Sequence, residues 1–422
     1  MISTLLSYLR NTEASAQYRS NLSIQVERTS TEAGGTLAIE NQSAVRTPEL
    51  DGVRGIAILL VLVWHYFASL IIFEPGSAAA HALGCFWLSW SGVDLFFVLS
   101  GFLIGGILMD NQKSDNYFSV FYVRRVCRIF PLYYLWFFLF CSLLVAAHLS
   151  PFENGFHSGL FADPLPLWSY ATFSQNFLMP YIKNGSGWMD VTWSLAVEEQ
   201  FYCVLPFIIR YLEPRKLPWL LSHLILGASV LRFGLSFSSG GLIASYVLMP
   251  CRADALCLGV LCAWMMRQQK IAQLLEARKM ALYAAFVILL LGAAVLTISW
   301  RDIGYTWLAL LYSCLLLITV TEKRGIMKTI AMNSSLRRLG IVSYGIYLFH
   351  SGMLGLTHGL ILHQRPQIHN IQDLMITIFA LILTLALADL SWNFFEKRLV
   401  SKGHRLNYQN SGPTQTNTLP EE

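Results

Sequence analysis

The sequence predicts an all-α polytopic integral membrane bundle of about ten transmembrane helices, with both termini on the cytoplasmic side. Three observations lead there. Hydrophobic residues make up 55 % of the 422 positions and charged ones only 13 %; mean hydropathy is +0.50, whereas a soluble domain carries roughly twice that charge fraction. Apolar runs recur at about 54–73, 86–109, 129–148, 193–212, 217–235, 243–266, 281–299, 303–321, 339–361 and 371–395, each close to the ~20 residues that span a bilayer. Finally, lysine and arginine alternate between the loops. With the N-terminus inside, the inner loops hold Lys113, Arg124, Arg125, Arg128, Arg210, Arg215, Lys216, Arg267, Lys270, Arg278, Lys279, Lys323, Arg324, Lys328, Arg337 and Arg338. The outer loops hold Lys183, Arg301 and Arg365. That excess marks the cytoplasmic side.

Residues 1–47 are polar, rich in Ser, Thr, Glu and Gln, and read as a disordered cytoplasmic tail. Residues 48–400 hold the membrane bundle, and 401–422 form a second polar tail. The stretch 165–181 is broken by prolines and reads as re-entrant or interfacial, not spanning. The net charge of +5 does not point to nucleic acid, because the basic residues sit at helix ends and form no single patch. The eight cysteines form no C-x-x-C pair and lie mostly in apolar runs, so they read as small core residues, with no metal site expected.

The first run, ELDGVRGIAILLVLVWHY at 49–66, organises the chemistry. Arg54 and His65 are eleven apart, which puts them within roughly 20° of one helix face and about 16 Å apart along it. That stripe carries a cation at the membrane edge and a titratable ring near mid-bilayer. It fits a snorkelling arginine and a histidine satisfied by a neighbouring helix as well as it fits a reaction site. The second run places Asp94 at its outer end, where a carboxylate also suits a helix N-terminus. Ser100 lies deeper, beside glycines that suit close helix packing.

Arg124, Arg125 and Arg128 precede the third run. They are either a topology signal or an anion cradle, since arginine meets phosphate in a fork geometry. Glu198 and Glu199 lie near the outer end of the fourth run, where a buried carboxylate can take a proton from a hydroxyl. Arg252 and Asp254 are too close on one helix to pair, so each needs a partner elsewhere. Ser343, Tyr347 and His350 share a side of the ninth run, so His350 joins His65 as a second histidine deep in the apolar sequence.

These residues together resemble the acyltransferase-3 family of membrane acyltransferases. The resemblance rests on Arg54 and His65 with ten residues between, GVDLFF with SGF, the R-x-x-R of Arg125 and Arg128, W-S-L-x-x-E-x-x-F-Y at 193–202, R-x-D-A-L-x-x-G at 252–259, and SYGIYLFH. The motifs run in the family's order over about 50–400. The resemblance implies an O-acyltransferase that draws an acyl group, acetyl above all, from cytoplasmic acyl-CoA. The acceptor implied is a hydroxyl on an extracytoplasmic or lipid-linked carbohydrate. It implies Arg54, Arg125 and Arg128 for the donor, and His65 and Glu198 with Arg54 as catalytic groups. Asp94, Ser100, Arg252, Asp254, Tyr347 and His350 are further buried polar candidates. The expected partners are acyl-CoA, the hydroxyl acceptor and membrane lipid, in a bacterial cytoplasmic membrane. Some members carry a fused esterase-like domain, for which 422 residues leave no expected room. Two rival readings are a proton-coupled transporter or glycan exporter, whose relay the buried charges would be, and an O-acyltransferase for a macrolide-type small molecule.

Overall fold

The computed structural model describes residues 47–71, 84–149, 160–161, 164–182, 187–238, 240–299 and 301–410. The leader, up to residue 46, and the end, 411–422, lie outside the described residues. The long helices are α1 (Pro48–Val63), α2 (Gly92–Asp110), α3 (Tyr117–Leu149), α4 (Trp193–Tyr211), α5 (Leu217–Leu235), α6 (Met249–Arg267), α7 (Lys279–Ser299), α8 (Arg301–Thr321), α9 (Ser343–Leu362) and α10 (Ile371–Ser391). A short amphipathic helix, α11 (Lys397–His404), follows. Among the described residues there is no strand, and the one β-bridge joins Ile71 to Ile368.

Among the described residues, eight helical stretches are long and apolar enough to cross a membrane. Helix α4 falls short by that measure because it carries Glu198, Glu199 and Arg210, and the side chains of α7 are described only as far as Ala293. The segment 165–181 holds two short helices, Leu167–Ala171 and Gln175–Leu178, neither long enough to span.

Helix boundaries shift the expected runs in ways that matter to the site. Helix α3 begins at Tyr117, so Arg124, Arg125 and Arg128 lie inside a helix and not in the loop before one. The run at 243–266 divides into Gly241–Val247 and α6 at Leu248, which is extended (φ −78°, ψ 135°), and Pro250 sits in the first turn of α6, where a missing N–H costs nothing. The run at 339–361 divides at Val342, separating Ser334–Ile341 from α9. The expected tail boundary at 400 falls within α11.

Small residues set the closest crossings. A Cβ added at Gly101 of α2 would lie 2.0 Å from the Leu256 carbonyl oxygen, and one at Gly259 of α6 would lie 2.0 Å from that of Val98. Two helices in backbone contact leave room for no side chain at either position, which is the small-residue packing of membrane bundles. Helix α1 starts with Pro48 in its first turn and with Glu49 and Asp51 there too, a favourable pattern for a helix N-terminus. At its other end it becomes a π-helix, Trp64–Ala68. A second π-helix, Trp392–Glu396, closes α10. Such bulges re-aim side chains and recur at functional sites; here one carries His65 and the other Glu396.

Candidate active site

Two polar centres lie along α1. At the end where α1 begins, Arg54 contacts Asp51 at 3.2 Å and lies within electrostatic reach of Arg125 and Tyr202. Arg128 is within reach of Arg54, Arg125 and Glu396. The Arg125 guanidinium sits 5.8 Å from the centre of the Tyr202 ring. The Tyr202 hydroxyl donates to Glu198 Oε2 at 3.1 Å and makes a short contact with Ser100 Oγ. Glu199, whose Oε1 is enclosed without a partner among the described residues, is also within reach of Arg125. Helices α1, α2, α3 and α4 thus bring Arg54, Ser100, Arg125, Arg128 and Glu198 into one cluster.

The cluster differs from the other arginines of the interior. Arg252 Nη2 meets Asp94 Oδ1 at 2.5 Å and Arg232 Nη2 meets Asp254 Oδ2 at 2.8 Å, all four side chains at most 2 % exposed. Arg252 also stacks on Tyr305 at 4.2 Å, and Asp254 accepts from Thr306 Oγ1 at 2.6 Å. Arg267 grips Asp110 through two bonds of 2.6 Å. Each of these cations has its carboxylate. Arg125 and Arg128 have none within 4.0 Å among the described residues. The arrangement therefore suits a ligand that brings negative charge. The buried quartet of Asp94, Arg252, Asp254 and Arg232 sets each charge against an opposite one, so Asp94 serves as an ion-pair partner, where its sequence position had also suited a helix cap.

The second centre lies where α1 ends. The His65 and His350 rings are 4.8 Å apart between centres and inclined by 57°. His350 Nδ1 is 2.6 Å from the Tyr347 carbonyl oxygen. A carbonyl only accepts, so Nδ1 carries the proton and Nε2 presents a lone pair. That Nε2 is buried with no partner among the described residues. The Tyr66 hydroxyl donates to the His350 carbonyl at 3.0 Å and pairs with Thr384 at 2.7 Å. Tyr347 donates to the Val191 carbonyl at 2.7 Å and pairs with Ser194 at 2.5 Å. His65 faces a cavity of about 320 Å³ whose walls include Ser351, Gly355, Gln364, Arg365 and Gln367. The Ile368 N–H bond to the Leu70 carbonyl, 3.0 Å, ties the α9–α10 connection to the end of α1 and holds that wall in place.

Two expectations of depth do not hold. His65 is not midway along its span: helix Pro48–Ala68 ends three residues beyond it, because the chain turns at 69–71 where a longer apolar run was expected. Glu198 does not lie with the outer groups but beside Arg125. The reason is that α4 starts deep: Val191, Thr192, Trp193 and Ser194 are all buried, so the chain has already entered the bundle when α4 begins. Glu396 reads from the sequence as a buried or interfacial carboxylate of the last span, whereas Arg232 is not singled out there and Tyr202 only closes the W-S-L-x-x-E-x-x-F-Y motif. Tyr202 sits four residues after Glu198, on the same face, and Arg232 is a lone cation in an apolar run; both signals were present.

Fold and site together define the class: an all-α membrane bundle with a cluster of arginines and carboxylates at one end of its first helix and a histidine pair at the other. The chain belongs to the acyltransferase-3 family: the family model described as an acyltransferase domain matches residues 47–392. Over 382 residues the chain is 28 % identical to "Putative peptidoglycan O-acetyltransferase YrhL" of Bacillus subtilis, covering 85 % of this chain and 55 % of that protein. Over 387 residues it is 26 % identical to "Peptidoglycan O-acetyltransferase OatA" of Listeria monocytogenes, covering 86 % of this chain and 57 % of the relative. The chain thus spans little more than half the length of these relatives. No solved structure matches it.

Proposed function

We propose that this protein is an integral-membrane O-acetyltransferase that moves an acetyl group from cytoplasmic acetyl-CoA to a hydroxyl of an extracytoplasmic or lipid-linked cell-envelope glycan. The observation that carries the reading is the pair Arg125 and Arg128 on α3, without an ion-pair carboxylate among the described residues and gathered with Arg54 at the end of α1 opposite His65. Phosphates of the donor are assigned to Arg54, Arg125 and Arg128, and the thioester arm runs along α1 toward His65, about 16 Å away by helix rise. The names of the two relatives support a glycan acceptor, and the cavity at His65 supports its approach from the opposite end. The lysine and arginine asymmetry supports placing the arginine end in the cytoplasm.

In this reading the acceptor hydroxyl gives its proton to His65 as its oxygen forms the ester bond to the acetyl carbon. The carbon–sulfur bond breaks, and the CoA sulfur leaves and takes the proton, so that CoA thiol and the ester are the products. His350, whose ring centre lies 4.8 Å from that of His65, is assigned to holding the His65 ring in place as the base. Glu198, bonded to Tyr202 and beside Arg125, is assigned to holding the donor end of the site and not to the acceptor. The deciding experiment supplies purified protein in vesicles with acetyl-labelled acetyl-CoA and glycan fragments. Labelled ester and free CoA should appear together, and only with acceptor present. Movement of glycan across the vesicle without ester formation would overturn the reading in favour of an exporter.

A further inference from the structure

The segment after α10 is built into the arginine site, although the family match stops at residue 392. Helix α11 lies against α3 so closely that a Cβ at Gly403 would be 3.0 Å from Cys127 Cβ and 3.4 Å from Arg124 Cα. Beyond it, residues 405–410 run over the start of α3. Arg124 Nη2 donates to the Leu406 carbonyl at 2.6 Å. Asn116 Nδ2 donates to the Asn407 carbonyl at 2.9 Å, and Gln409 N returns a bond to Asn116 Oδ1 at 2.9 Å. Asp115 N donates to the Gln409 carbonyl at 2.9 Å. The Tyr408 ring lies 5.1 Å from the Arg124 guanidinium.

This segment adds positive charge where positive charge is already concentrated. Residues 397–410 contain Lys397, Arg398, Lys402, His404 and Arg405 and no acidic residue. His404 is within electrostatic reach of Arg124, Arg125 and Arg128, and Tyr408 of Arg124 and Arg125. The Tyr408 hydroxyl is enclosed without a partner among the described residues. A strap whose only task was to close the bundle would be expected to carry carboxylates toward three arginines. Like charges held together at a fixed place are compensated by a multiply charged anion.

We propose that residues 397–410 form one wall of the donor site, with His404 and Tyr408 contacting phosphate groups of the acyl-CoA opposite Arg125 and Arg128. This rests on the assignment of acyl-CoA as donor. The test is equilibrium binding of acetyl-CoA and of 3′-dephospho-acetyl-CoA to the full chain and to the double variant His404→Gln/Tyr408→Phe, in neutral detergent and in vesicles containing phosphatidylglycerol. The double variant keeps side-chain bulk and all the backbone bonds of the strap. Its acetyl-CoA Kd should rise about tenfold, the equivalent of ~1.4 kcal/mol, with unchanged melting temperature and a smaller loss for the dephospho donor. Normal acetyl-CoA affinity in the double variant overturns the proposal, whether stability falls or only vesicle association is lost; the latter would make the strap a lipid contact. If the unaltered chain binds no acetyl-CoA, the donor assignment itself falls, a result distinct from the first.

Discussion

A cation held among helices must meet an anion, and the interior arginines divide on this point. Arg252, Arg232 and Arg267 find carboxylates within the chain; Arg125 and Arg128 make no such pair among the described residues, and the proposed function gives them the donor's phosphates. Replacing either of the latter with Ala should weaken acetyl-CoA binding by roughly 1.5–3 kcal/mol, the contribution of a charge-assisted contact. Direct titration of each variant measures it, and normal binding by variants that insert poorly would leave these arginines a topology signal alone. His65→Ala should leave insertion and donor binding intact while turnover falls by about 10²–10⁴-fold, the loss expected for a general base. In the proposed function His350 positions the His65 ring by packing against it and does not touch substrate. Its replacement by Ala should lower turnover and move the pH–rate profile while the acetyl-CoA Kd stays the same. A variant whose activity falls only in step with its melting temperature would mark His350 as a packing residue.

At the scale of elements, the quartet of Asp94 (α2), Arg252 and Asp254 (α6) and Arg232 (α5) fastens three helices. A buried pair is weak evidence of net stability, but removing one partner strands the other charge and costs about 3–5 kcal/mol. Asp94→Ala should therefore lower the melting temperature sharply in detergent, with Asp94→Ala/Arg252→Met recovering part of the loss. The turn Asp190–Thr192 that launches α4 gives a prediction in pH. Burial pushes the Asp190 carboxyl up to about 7 from an ordinary 3.8, and its Oδ1 has no partner among the described residues. The folded state then keeps this proton to higher pH than the unfolded state. Its contribution is complete below about pH 4 and is lost as pH rises through 7. Melting temperature should fall between pH 5 and 8 in the natural protein and fall less in Asp190→Asn; equal slopes in the two would show that another group titrates.

For the molecule as a whole, the proposed function uses the two centres as the donor and acceptor ends of one bundle. The reading requires the arginine end to face the cytoplasm. Single cysteines placed in 330–336 should resist a membrane-impermeant thiol reagent in intact cells, and those placed in 164–182 should react. Labelling of 330–336 from outside would reverse the orientation and put donor and acceptor on the wrong sides. The identity of the pieces was largely legible beforehand. Arg54, His65, the R-x-x-R pair and the W-S-L-x-x-E motif each stand in recognisable order, because charges within apolar runs are few and each must have a reason.

Composition and period were enough to determine a helical membrane bundle, the approximate place of its long helices, and the residues able to do chemistry. Hydrophobic length and the position of lysine and arginine are properties of a chain in one dimension, so they can be read there. Partnership is not such a property. That Asp94 binds Arg252, that Glu198 sits with Arg125 and not beside the cavity at His65, and that His350 stands against His65 depended on which helix faces are turned together. Those faces were set by features with little sequence signal: the deep start of α4 after a segment that enters the bundle without spanning it, the π-helical turn that carries His65, and the backbone contacts at Gly101 and Gly259. The strap at 405–410 is polar and looks like a tail; only its hydrogen bonds to the first turns of α3 placed it beside the arginines.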